Sequence, residues 1–256
     1  MIKIEKENMH SIAALFKDWN ETLIWSCLQG FMGQAFADRE ENPASAQIII
    51  GDFCFLSGAP DQELAENIPP DFLSDTILMI PESEGWFDML EKAYPLNSEK
   101  VLRYAIKKEP NVFNRKKLQD FIENIPSEYQ LKLIDETLYH LVKTESWSRD
   151  LCSLFSTYQE YETHGLGVMA LHKGIPVSGA SSYTFYDKGI EIEIDTRKDH
   201  RRKGLALACA AKLILECLDR NLYPSWDAID LRSVALAEKL GYHMDKEYVT
   251  YVITLK

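Results

Sequence analysis

The spacing of apolar and polar positions divides the chain into two stretches with different rhythms. Apolar residues recur at helical spacing through FKDWNETLIWSCLQGFMGQAFAD, and AQIIIGDFCFLSG follows as an apolar run closed by Ser57 and Gly58, which predicts a helix and then a strand. TILMIPE and SEGWFDMLEKAYP give a strand followed by a helix. The basic stretch 106–117 reads as a solvated connection in which Pro110 ends any helix. These elements predict a small N-terminal α/β lobe. Its boundary falls in FIENIPSEY, a loop with an internal proline, so the expected domains are 1–125 and 126–256.

The second stretch is more regular. YQLKLID alternates as a short strand, and ETLYHLV and SWSRDLCSLFSTYQEYETHG read as helices ending at His164 and Gly165. GLGVMALHKG, IPVSGASSYTFYD and GIEIEIDT follow as an antiparallel meander, with Lys173-Gly174 and Asp187-Lys188-Gly189 supplying residues that tolerate tight hairpin turns. A helix through Leu222, the short strand YPSWD, a helix Leu231–Leu240 stopped by Gly241 and the strand EYVTYVITL complete the pattern. The predicted fold class is α/β (α+β), a mixed and mostly antiparallel sheet flanked by helices. Neither low-complexity segments nor a short-period repeat occur.

Composition narrows the partners. With 256 residues, 46% of them hydrophobic, the chain builds a substantial core. A net charge of -12 argues against a surface that neutralises nucleic acid and favours cationic partners. No apolar run reaches the roughly 20 residues of a membrane span, and MIKIEKENMH has no signal-peptide core, so a soluble, cytoplasmic protein is expected. Cys27, Cys54, Cys152, Cys209 and Cys217 are scattered in apolar stretches and read as buried free thiols. The six histidines show no metal-ligand spacing, so no metal is expected.

The chemistry concentrates in DHRRKGLALA, residues 199–208. Gly204 stands where strand gives way to helix, so the N–H groups of Arg202 to Ala206 are expected at a helix start, beside the positive end of its dipole. Cations there oppose the dipole by roughly 0.3–1 kcal/mol each. Arg201, Arg202 and Lys203 together therefore imply an anion, and the small residues Gly204, Ala206 and Ala208 let it approach the backbone closely. The triphosphate and dinucleotide patterns GxxxxGK[ST] and GxGxxG are absent.

The order strand, R-x-x-G-x-A loop, helix, strand, helix, with Arg201, Gly204 and Ala206 at the fixed places, resembles the acetyl-CoA pyrophosphate loop of the GNAT N-acetyltransferase superfamily. The resemblance covers about 126–256. GIEIEIDTRKDHRRKGLALACAAKLILECL and LYPSWDAIDLRSVALAEKLGY are similar to the branch containing the zwittermicin A resistance acetyltransferases, in which an N-terminal lobe precedes the GNAT domain. The lobe 1–125, with its order of helices and strands, is compatible with a degenerate GNAT-like unit, although no phosphate loop is visible in it.

The resemblance implies acetyl-CoA as co-substrate. Backbone groups of Ile194, Asp195 and Thr196 would pair with the pantetheine arm, and Arg201, Arg202, Lys203, Gly204, Leu205 and Ala206 would hold the pyrophosphate. The strand YPSWD would splay from GIEIEIDT to seat the thioester near Trp226. Asp230 and Ser233 stand where the family usually carries an Asn and a small residue, and Asp for Asn departs from that pattern. Ala237 in LAEKLGY replaces the usual Tyr general acid, leaving Tyr242, Tyr248, Tyr223 or an unassisted thiolate.

Acetylating an amine requires the neutral nitrogen, and deprotonating a lysine-like ammonium at neutral pH costs about 4–5 kcal/mol. In GIEIEIDT, Glu191, Glu193 and Asp195 alternate with isoleucines, so one strand face is acidic. Glu193, and then Glu191, are the expected catalytic carboxylates, binding an ammonium group and taking its proton. Trp226 and Ser182 are candidate substrate contacts, whereas Trp147, Phe155, Tyr158 and Tyr161 read as core. The expected function is acetyl transfer to a primary amine of a small, cationic molecule, with the protein a monomer or homodimer. A non-catalytic acyl-CoA sensor or scaffold is the alternative.

Overall fold

The computed structural model describes residues 1–255. They form two compact units: Met1–Arg103 together with the C-terminal residues from Glu247 onward, and Tyr104–Lys246. The division expected near residue 125 thus differs from the compact one at 103/104, and the last strand belongs with the first unit. Periodicity reports contacts near in sequence, and it carries no signal that residues 251–254 pair with 76–79.

In the first unit β1 (Ile2–Ile4), α1 (Thr22–Leu28), β2 (Gln34–Ala37), β3 (Ser45–Ile50), β4 (Phe53–Gly58), α2 (Gln62–Glu66), β5 (Thr76–Pro81), α3 (Glu84–Ala93) and β6 (Ser98–Ile106) follow in order. Two 3-10 segments, Lys6–Ser11 and Ala13–Phe16, precede α1. The strands are ordered β1-β2-β3-β4-β5-β13-β6, where β13 is the C-terminal strand Met244–Thr254. Residues QAFA, expected within a helix, form β2 beyond the left-handed Gly30 and Gly33. The apolar run AQIIIGDFCFLSG is a hairpin turned at Gly51-Asp52, with Ile50 opposite Phe53. All six residues of β3 are buried, which explains why no alternation marked two strands there. Leu56, Ile77, Met79, Trp86 and Ile253 are fully buried in this unit's core.

The second unit contains α4 (Arg115–Glu123), β7 (Tyr129–Leu133), α5 (Glu136–Thr144), α6 (Tyr158–His164), β8 (Gly167–His172), β9 (Ile175–Tyr186), β10 (Gly189–Thr196), α7 (Leu205–Asp219), β11 (Tyr223–Ser225), β12 (Asp227–Ala228) and α8 (Leu231–Leu240). Its main sheet runs β7-β8-β9-β10-β11, antiparallel except for the parallel pair β10 and β11. Lys173 and Gly174, at φ 52° and 81°, turn the β8–β9 hairpin. Ala208, Cys209, Leu213 and Ile214 are buried along α7, which packs on β8 to β11.

Several local expectations change. The stretch 106–117 is not all connection, because Asn114 caps α4 by accepting the Lys117 N–H. Within 146–165 the chain makes a 3-10 turn at Arg149–Leu151 and then α6 rather than continuous helices. Helix α7 ends at Asp219. YPSWD breaks after Ser225, and Asp227–Ala228 pair instead with Ala105 and Tyr104 at the end of β6. The mixed, mostly antiparallel sheet flanked by helices agrees with the expected fold class.

Candidate functional site

Strands β10 and β11 run side by side for three residue pairs, Gly189–Tyr223, Ile190–Pro224 and Glu191–Ser225, and then part. Strand β10 continues to Thr196. Burial changes at the same point, since Glu191 and Ile192 are buried whereas Glu193, Ile194, Asp195 and Thr196 are half-buried. The strand thus presents a backbone edge with no β11 residue opposite it.

The acidic face lies along this opening. Glu193 is opposite Ser181 and Asp195 opposite Gly179, so these pairs share a face. The Ser181 hydroxyl bonds the buried Tyr161 hydroxyl at 2.7 Å, which puts α6 on the Glu193 side of the sheet. Burial raises the Asp195 carboxyl above the usual aspartate range, with nearby Asp150 adding to the rise, while the Thr196 N–H and Arg201 oppose it. Glu191 is 5% exposed.

Beyond Thr196 the chain makes a 3-10 turn, Lys198–His200, and a loop into α7. Arg202 and Gly204 are both left-handed, at φ 63° and 78°, and Gly204 is the N-cap of α7. The first ladder bond of α7 runs from the Ala208 N–H to the Gly204 carbonyl at 3.0 Å. The N–H groups of Leu205, Ala206 and Leu207 therefore precede the ladder and point out of the helix start. A Cβ built on Gly204 would meet nothing within 4 Å, so the space in front of the loop is open. Residues 201–204 are all exposed.

The loop is fastened from below. The Arg201 Nε donates to the Thr196 carbonyl at 3.0 Å. Arg197 pairs with Asp199 at 2.8 Å and donates from Nη2 to His200 Nε2 at 2.9 Å. Because a guanidinium only donates, Nε2 accepts and the neutral His200 carries its proton on Nδ1, facing the Tyr129 hydroxyl at 2.9 Å. That hydroxyl also accepts from Lys203 Nζ at 2.9 Å. Burial lowers the His200 pKa, and the positive Lys203 and Arg197 lower it further against the opposing Asp199.

The remaining expected residues have partners within the chain. Asp230 caps α8, accepting from the Arg232 and Ser233 N–H groups at 2.9 Å, and its Arg232 hydrogen bond holds its pKa low. Ser233 accepts from the Trp226 indole at 3.1 Å, and Trp226 is 5% exposed, edge-on to Tyr242. Ser182 is fully buried and both donates to and accepts from the backbone of Leu166; it lies opposite Ile192, on the face away from Glu193. Tyr223 donates to the Lys107 carbonyl and Tyr242 to the Pro224 carbonyl. Tyr248 lies in the segment that belongs with the first unit. Ala237 is buried.

Sequence reasoning missed Tyr129, His200 and Tyr186. Tyr186 contacts the Ser225 hydroxyl at 3.1 Å, at the point where β11 leaves β10. Burial pushes its phenol up to about 12, and Glu191 adds to the rise. Most of these contacts join residues far apart in the chain, 71 positions for Tyr129 and His200, so no local pattern marks them. Among the described residues no cluster of His, Cys, Asp and Glu is placed to hold a metal, and no helix is long and apolar enough to cross a membrane.

Comparison with known proteins adds the following. The profile of the family described as GNAT acetyltransferase matches residues 13–251. A Bacillus subtilis (strain 168) protein named "Uncharacterized N-acetyltransferase YdfB" is 26% identical over 268 residues, covering 97% of each chain. The crystal structure of a GCN5-related N-acetyltransferase-like protein from Streptococcus suis 89/1591 superposes with a TM-score of 0.90 at 46% identity, covering 96% of this chain and 98% of that one. A tandem GNAT protein from the clavulanic acid biosynthesis pathway shares the fold alone, with a TM-score of 0.56 at 9% identity over 100% of this chain and 98% of its own.

Proposed function

Since this chain belongs to the GNAT acetyltransferase family, we propose that it moves the acetyl group of acetyl-CoA to a primary amine of a small, cationic molecule. The observation that carries this reading is the edge of β10 that β11 leaves beyond Glu191, running into an open loop at the start of α7. The loop fits a pyrophosphate: three helix-start amides, a left-handed Gly204 with open space before it, and the exposed Arg201 and Arg202. Backbone groups of Ile194, Asp195 and Thr196 would meet the pantetheine arm where β11 has left the sheet, the arm competing at Thr196 with the Asp195 carboxylate for the N–H and with the Arg201 Nε for the carbonyl.

Acetyl-CoA supplies the thioester carbonyl. Glu193 binds the ammonium form of the acceptor and takes its proton, directly or through water, as the nitrogen attacks. Glu191 and Asp195 add negative potential, which suits a cationic acceptor in a chain of net charge -12. The leaving thiolate, with an ordinary thiol pKa near 8.5, needs little assistance. Tyr186, kept protonated at neutral pH by burial and beside Ser225 where the strands part, is the phenol we assign to protonate it. The likeness to the zwittermicin A resistance branch supports a small-molecule acceptor, and a soluble, cytoplasmic enzyme accords with this reading. The buried Ala237, without a hydroxyl, and Asp230 in place of the family's usual Asn are the features that favour a non-catalytic acyl-CoA binder.

The test is calorimetric titration with acetyl-CoA, followed by a thiol-release assay over polyamines, aminoglycosides and amino-acid amides. The five cysteines are all buried and their pKa values raised to about 11 or 12 by burial, so a thiol reagent reports released CoA with little background. Micromolar binding with turnover of one class of amine supports the enzyme. Binding without turnover across the panel supports the binder, and no binding removes both.

A further inference from the structure

The first unit repeats the plan of the second. β1, a helical stretch, β2, β3, β4, α2, β5, α3 and β6 answer in order to β7, a helical stretch, β8, β9, β10, α7, β11, α8 and β13, with the two-residue β12 inserted before α8 and the closing strand β13 taken up by the first unit's sheet. The strand orders β1-β2-β3-β4-β5 and β7-β8-β9-β10-β11 correspond, and so does every pair direction: antiparallel until the last, then parallel for β4 with β5 and for β10 with β11.

The place in the first unit that answers to the acyl-CoA loop is built differently in four respects. Residues 59–61 alone join β4 to α2, where 197–204 join β10 to α7. Helix α2 has 5 residues against 15 in α7. Its start is occupied by the chain's own carboxylate, since Asp61 accepts the Leu64 N–H at 2.9 Å, and Glu63 in the first turn is held by the Met1 amino group at 2.6 Å, where α7 has Arg201, Arg202 and Lys203 before it. The gap between the parallel strands is also closed. β4 pairs with β5 from Phe53–Leu78 to Leu56–Pro81, and Glu82 then carries the contact on, accepting from the Ser57 hydroxyl at 2.9 Å and the Gly58 N–H at 2.7 Å. The Trp86 indole donates to the Gly58 carbonyl at 2.9 Å, so both backbone groups of the last β4 residue are taken.

We propose that the first unit is a second copy of the transferase plan whose acyl-CoA seat is closed by its own side chains, so that the chain binds one acyl-CoA, at 197–207. The inference rests on the reading of that loop as an acyl-CoA seat. A pyrophosphate at α2 would have to displace the Asp61 cap and sit against that carboxylate, and a pantetheine arm would find no open edge along β4.

The experiment is native mass spectrometry of the full-length protein with saturating acetyl-CoA, paired with hydrogen exchange of the same sample. One acetyl-CoA per chain is expected, with exchange slowed at least several-fold at 201–208 and unchanged at 56–66. Two per chain, or protection at 56–66, would overturn the closed seat while leaving the proposed activity standing. One per chain with no protection at 201–208 would overturn the assignment of the open seat. No bound acetyl-CoA would overturn this inference and the proposed function together.

Discussion

Glu193 and Gly204 carry the sharpest expectations for single residues. Glu193 is half-buried on the acidic face of β10, and if it removes the proton of the acceptor its carboxylate acts in turnover and not in holding acetyl-CoA. Glu193→Gln should lower kcat by roughly 10²–10⁴-fold, the range for a lost general base, with the acetyl-CoA Kd changed less than threefold. An unchanged kcat at neutral pH would pass the role to Glu191. Gly204 is different in kind, because its φ of 78° excludes side chains by strain while its missing Cβ faces open space. Gly204→Val should cost about 1–2 kcal/mol in stability and weaken acetyl-CoA binding by more than tenfold. Equal affinity in a folded variant would show that nothing approaches the loop closely. Both residues were legible in the sequence, Gly204 from the run of cations before small residues and Glu193 from strict alternation. Ser182 was legible only as a strand residue, since the register that turns it toward Leu166 depends on a shift between Glu191 and Ile192 that no alternation announces.

At the level of elements, the meander β8–β10, helix α7 and the departure of β11 follow from periodicity and turn residues, so the sequence predicts the frame of the site. The support beneath the loop was hidden. Tyr129 opens β7 and reaches both His200 and Lys203 across 71 and 74 positions, a contact that local pattern does not encode. That support predicts a pH dependence. Burial and the neighbouring Lys203 and Arg197 depress the folded-state pKa of His200, against Asp199, with His172 adding a nearby titratable ring. The unfolded chain takes up a proton near pH 6.5 that the native fold resists. The contribution of this contact is therefore full above about pH 6.5 and is lost as pH falls from there toward the lower folded value. Protonation would also place an N–H against the Arg197 guanidinium. Wild-type Tm should fall between pH 7.5 and 5.5 more steeply than that of His200→Gln, and acetyl-CoA affinity should fall with it. Parallel Tm curves for the two proteins would show that His200 does not sense pH in this range.

For the whole molecule, the decisive feature is the placement of β13. Residues from Glu247 onward belong with the first unit, and β13 takes its place between β5 and β6. Tyr251 and Ile253 are 1% and 0% exposed in that unit's core, and the Tyr251 hydroxyl donates to Glu91 at 2.7 Å. Removing residues 247–256 would take away two buried side chains worth about 1.5–3 kcal/mol each, and the backbone pairing of Tyr251 to Thr254 with Met79 to Thr76. It would also leave β5 and β6 without the strand between them. Against a total domain stability of about 5–15 kcal/mol, that loss is large enough to unfold the unit. Limited proteolysis of the truncated protein should therefore show rapid cleavage throughout 1–103, with thiol reagents reaching Cys27 and Cys54, both buried in the intact chain. A truncated protein with native resistance at those sites would mean that the first unit closes its sheet without β13. Dependence of one unit on the far end of the chain also explains why the sequence, read from neighbour to neighbour, placed the domain boundary near residue 125: the strand that completes the first unit is written last.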